Sequence, residues 1–89
     1  MFICYKIDLE NDCLYRGIIN SDHITHIEIE EHGGGYGKAI TVNLLGEPDV
    51  CIFMGNNEKI FERIYCDFIE ALNGVNSPSG YFRVIKTEK

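Results

Sequence analysis

The chain has no tryptophan, two prolines, and eight basic residues against fourteen acidic ones. Each shortage excludes something. A net charge of −6 argues against direct nucleic-acid binding, which needs Lys and Arg to neutralise phosphates. It argues equally against attraction to an anionic membrane surface. No apolar run approaches the ~18 residues that span a bilayer. Residues 1–8 reach a charge at Lys6 with no basic segment ahead of an apolar one, so they do not read as a signal peptide. The expectation is a cytoplasmic protein.

Metal-binding and catalytic signatures are missing too. Cys4, Cys13, Cys51 and Cys66 form no C-x-x-C pair, so zinc spacing is absent and free, buried thiols are expected. There is no G-x-S-x-G, H-E-x-x-H or S-x-x-K. A cysteine nucleophile could be matched on paper with any of His23, His26 and His32, which specifies nothing. The expectation is a chain without enzymatic activity, cofactor or metal.

What is present is an ordinary globular composition, 45% hydrophobic over 89 residues, enough for one small domain with a thin core. Period-two alternation puts Ile3, Tyr5, Ile7 and Leu9 on one face of a strand over residues 2–9. A turn at Glu10, Asn11 and Asp12 leads to a second strand over residues 13–19. Residues 24–30, ITHIEIE, alternate most clearly: Thr25, Ile27 and Ile29 are expected toward the core, and His26, Glu28 and Glu30 toward water. Residues 39–45 and 50–54 read as two further strands, joined by a tight turn containing Pro48.

After Gly55 the period changes. Ile60, Phe61, Ile64, Tyr65, Phe68, Ile69 and Leu72 make a broad apolar stripe on one helix. Asn57 is placed to cap it and Asn73-Gly74 to stop it. Arg63 and Asp67 are spaced to pair on its far face. Ile64, Phe68 and Leu72 are expected in the core.

The predicted fold is therefore α+β: an antiparallel β-meander of about five strands with one C-terminal amphipathic helix packed on one face. Residues 1–74 would form the domain. Residues 75–80 would be a flexible connector, 81–85 a short sixth strand of this sheet or of another chain's, and 86–89 a frayed tail.

Residues 30–38, EEHGGGYGK, look at first like a phosphate loop. A Walker A motif needs a glycine where His32 stands and a Ser or Thr where Ala39 stands. G-x-G-x-x-G fails as well. Both motifs lead into a helix whose N-terminus binds the phosphate, and here a strand follows. Four glycines between alternating strands predict a hairpin tip instead.

His26, Glu28, Glu30 and His32 share one strand face, but successive same-face residues stand ~7 Å apart, too far for a closed metal site. Solvated titrating side chains are the expectation there. A tip carrying His32, Tyr36 and Lys38 could still anchor a partner, and Glu62 and Asp67 add carboxylates on the helix. Together these eight residues form the predicted partner-contacting set.

With one helix for a whole sheet, an open face is left for another protein or a second copy. The leading functional expectation is a non-catalytic protein-interaction module. One alternative is an acidic inhibitor, of the kind phages and mobile elements encode, that mimics phosphates toward a nucleic-acid-binding host enzyme. The other is a small-ligand or metal-binding protein.

Overall fold

Strand β1 (Phe2–Asp8) buries Ile3, Tyr5 and Ile7 and turns Phe2, Cys4, Lys6 and Asp8 outward, as its alternation predicts. It comes from a computed structural model that describes residues 1–8, 14–32 and 37–85. Cys13 and the residues proposed for the first turn lie outside that description, as do residues 33–36 and 86–89. β2 (Leu14–Asn20) pairs antiparallel with β1 in a continuous register from Phe2↔Asn20 to Asp8↔Leu14.

The meander ends there. A single turn of 3₁₀ helix, Ser21–His23, follows β2. Asn20 Oδ1 accepts from the Asp22 amide at 3.0 Å. The Ser21 amide and hydroxyl both donate to the Met1 carbonyl, at 2.8 and 3.0 Å. These bonds tie the turn to the start of β1 and carry the chain out of the first sheet. β3 (Ile24–His32) then pairs with β4 (Gly37–Leu44), and β4 with β5 (Val50–Gly55).

The fold is α+β as expected, and the short sixth strand forms, but the described residues make two antiparallel three-stranded sheets rather than one meander. The strand orders are β2-β1-β6 and β3-β4-β5. The physical reason is that β1 takes its second neighbour from the far end of the chain. β6 (Phe82–Ile85) pairs antiparallel with β1 from Phe2↔Ile85 to Tyr5↔Phe82.

Helix α1 (Glu58–Leu72) lies between β5 and β6 in sequence and contacts both. Asn57 caps it, Oδ1 accepting from the Lys59 and Ile60 amides at 3.1 and 3.2 Å. At the other end the Val75 amide donates to Glu70 O and the Gly74 amide to Ala71 O, which is the Schellman closure. Its fully covered residues are Phe61, Ile64, Phe68 and Ala71. Leu72, expected in the core, is only partly covered, and Ala71 takes the fully buried position.

Residues 75–80 are held at both ends. Ser79 Oγ donates to Asp67, so Asp67 accepts from the connector, and among the described residues it forms no ion pair with Arg63. The Val84 amide donates to Asn76 Oδ1 at 2.8 Å, which occupies a donor on the outer edge of β6.

The core lies between the two sheets and the helix: Ile3, Ile7, Ile19 and Phe82 from one sheet, Ile40, Val42, Ile52 and Phe53 from the other. Two register shifts shape it. One between Ile40 and Thr41 skips Ile52, so Ile52 and Phe53 are both buried. The other skips Thr25. Thr25 was expected inside but is exposed, while Ile24 and Ile27 pack against the core. Ile29, also expected inside, is 42% exposed on the edge strand β3.

Candidate functional site

Three surfaces carry the chemistry this chain offers. The first is the predicted row on β3. His26 Nε2 lies 2.8 Å from Glu28 Oε1, and His26 Nδ1 lies 3.2 Å from Thr25 Oγ1. A hydroxyl, an imidazole and a carboxylate in line resemble a nucleophilic triad in outline. However, the Thr25 hydroxyl donates its one proton to the Asn43 carbonyl at 3.1 Å. His26 and Glu28 are 57% and 45% exposed, on an open strand face with no cleft to exclude water. Its exposure distinguishes this row from a buried, water-excluded reaction centre. Glu30 points to the same outward face, opposite Ala39. His32 closes β3 opposite Gly37, and Tyr36 lies outside the described residues.

The second surface surrounds Lys38. β3 and β4 form the expected hairpin, with Glu31↔Lys38 and His32↔Gly37 in register at the base of the glycine tip. Lys38 Nζ is 3.5 Å from Glu31, 3.8 Å from Glu58 and 5.0 Å from the centre of the Phe61 ring. An open cleft of about 310 Å³ lies beside it, lined by Glu31, Lys38, Gly55, Asn57, Glu58 and Phe61. Two carboxylates, 74% and 76% exposed, already surround its ammonium group, so the cleft repels a phosphate. Lys38 thus joins the acidic residues of β3 to the start of the helix. Glu62 is exposed further along α1, while Asp67 is half-buried against Ser79.

The predicted residues that are described are therefore not gathered at one place. Among the described residues, no group of three or more His, Cys, Asp or Glu side chains could hold a metal ion. Cys4 and Cys51 are half-buried and Cys66 is exposed, and all three are free thiols. Buried thiols were expected, but none of these three is fully buried.

The third surface was missed in the sequence. It is the outward face of the β2-β1-β6 sheet. Cross-strand register sets Phe2 beside Ile85, Cys4 between Ile18 and Arg83, and Lys6 beside Arg16. Phe2 is 40%, Ile18 66% and Ile85 37% exposed, and Lys6, Arg16 and Arg83 are exposed. None of the three cations pairs with a carboxylate among the described residues. One sequence signal pointed here: Phe2, Cys4 and Lys6 alternate with the buried Ile3, Tyr5 and Ile7. What lies beside them could be known only from the pairing.

Comparison with protein-family models, with curated proteins and with solved structures finds no match to this chain. Among the described residues no helix is long and apolar enough to cross a membrane.

Proposed function

We propose that this chain is a non-catalytic protein-interaction module that presents the outward face of its β2-β1-β6 sheet to another protein. The observation that carries the reading is the exposure of Phe2, Ile18 and Ile85 on one sheet face. Leaving these side chains 37–66% exposed forgoes part of the ~1.5–3 kcal/mol that full burial of each would give. In a domain with so thin a core, that arrangement suits a surface covered by a partner.

Affinity capture from the host cell tests it, with the native chain and an Ile18→Ser, Phe2→Ser variant side by side. A stoichiometric partner retained by the native chain and lost by the variant is the expected result. Equal retention by both sinks the assignment of function to this face.

A second reading, the acidic inhibitor, is favoured by charge segregation. Among the described residues, Lys6, Arg16 and Arg83 stand on the one sheet face, leaving Lys38, Lys59 and Arg63 for the rest of an acidic surface. On that reading, charge reversal at Glu28 and Glu62 abolishes capture of a basic partner, and substitution of Phe2 and Ile18 leaves it intact.

A further inference from the structure

The outward face of the β2-β1-β6 sheet has a polarity of its own. Its Phe2 end is apolar, with Ile85 beside Phe2 and Ile18 beside Cys4. Arg83 flanks Cys4 on the other side, and Lys6 and Arg16 make the next pair along the strands. Among the described residues these three cations form no ion pair, and beside an apolar patch in a chain of net charge −6 they suit an occupant that is both acidic and apolar.

The size of the face narrows the choice. Two strands of seven residues and one of four, ~4.8 Å apart at ~3.4 Å per residue, give roughly 300 Å². That is well under half of the ~800 Å² each partner contributes to a stable standard interface. It matches one secondary-structure element lying along the strands.

Other occupants fit less well. A second copy would present the same three cations to Lys6, Arg16 and Arg83, with Asp8 as the one carboxylate of β1 on that face. Single-stranded nucleic acid needs aromatic rings to stack on, and Phe2 is the one aromatic residue here, among branched aliphatic side chains. Strand addition to β6 is hindered because Asn76 Oδ1 already accepts the Val84 amide.

Resting on the interaction-module reading above, we infer that this face docks a short acidic amphipathic helix of a partner protein. Its apolar stripe lies over Phe2, Ile18 and Ile85, and its flanking carboxylates reach Arg83, Arg16 and Lys6. A helix with side chains is ~10–12 Å across, close to the ~14 Å width of three strands.

The test is selection of a random phage-displayed peptide library, with peptides of roughly 16 residues, against the full chain. Enriched peptides are then titrated into the labelled protein by heteronuclear NMR. The expected peptides carry net negative charge with apolar residues at helical spacing. They shift amides within residues 2–6, 16–20 and 82–85. Their affinity falls at least ~10-fold on Arg16→Glu, Arg83→Glu, and it weakens between about 50 and about 500 mM salt. The milder Arg16→Gln, Arg83→Gln pair, checked for an unchanged melting midpoint, guards against misfolding.

Enriched peptides that are neutral or basic overturn the inference, as does equal binding by the charge-reversed chain. So does binding of a single-stranded uridine oligomer of about 20 nucleotides to this face, or a dimer in ultracentrifugation that Ile18→Ser disperses. Acidic peptides mapping to another face overturn the docking assignment yet leave the module reading standing. Failure to enrich any peptide, together with a capture experiment that yields no partner, removes both.

Discussion

Gly37 lies so close to Gly55 that a Cβ on Gly37 would stand 2.0 Å from the Gly55 carbonyl oxygen. Gly37 also carries a φ of +85°, which L side chains rarely adopt. The last glycine of the stretch that resembled a phosphate loop is thus the residue that lets β4 begin against the end of β5. Gly37→Ala is expected to lower stability by at least ~3 kcal/mol, from backbone strain and a clash that no side-chain rotation relieves. Gly46→Ala is the control. Gly46 has a φ of +74° but open space around it, so only about 1–2 kcal/mol is expected. Equal urea midpoints for the two variants would show that the approach of Gly37 to Gly55 is not tight.

Phe68 on the helix meets Phe82 on β6 with ring centres 5.3 Å apart and planes tilted by 45°. Phe68→Ala is expected to cost ~3–5 kcal/mol, close to the whole margin of a small domain. The coupling is therefore better read with Phe68→Leu and Phe82→Leu. Their combined loss should differ from the sum of the single losses by ~0.5–1.5 kcal/mol. Strict additivity in thermal melts would mean that β6 and the helix do not share one packing unit.

Burial pushes the Tyr5 hydroxyl above its ordinary value of 10.0, and Cys51 nearby adds to the rise. Burial likewise pushes the Cys51 thiol above 9.0, by more than a backbone hydrogen bond at Phe53 lowers it. The folded chain holds both protons more tightly than the unfolded one. Stability from these groups is therefore complete below their unfolded values and declines as pH rises past them. Urea midpoints should hold steady from neutrality to about pH 9 and fall by about pH 10.5. Tyr5→Phe should flatten part of that fall. An identical alkaline decline in Tyr5→Phe and the native chain would remove Tyr5 as its source.

Asn43 Oδ1 is buried without a hydrogen-bond partner. A buried acceptor left unpaired costs about 1–3 kcal/mol. Asn43→Val removes it and places a β-branched residue in a strand, while the backbone carbonyl that accepts from Thr25 remains. A rise in stability of ~0.5–1 kcal/mol is expected in urea titration. A clear loss would show that the Asn43 amide is partnered in solution.

Local pattern was enough for most elements. Alternation in β1 and β4, the apolar stripe of α1, the Asn57 cap and the Gly74 closure follow from bonds between residues a few positions apart, so the order of residues encodes them directly. The glycine tip read as a hairpin for the same reason: its flanking strands have period two, and no helix follows.

Long-range pairing was not legible in that way. That β6 returns to β1, and so splits the strands into two sheets, depends on which surfaces bury most when the helix is in place. Phe82 reaches the core through contact with Phe68, fourteen residues earlier in the chain. The skipped Thr25 reversed the inside and outside of β3 at its start, because one extra residue flips a strand of period two. The candidate docking face shows the same division. Alternation set Phe2, Cys4 and Lys6 on the side opposite the core, but only tertiary pairing brought Ile18, Arg16, Arg83 and Ile85 alongside them. Side chains drawn from two neighbouring strands and from the far end of the chain become one surface only when the backbone hydrogen bonds of the sheet hold those segments about 5 Å apart.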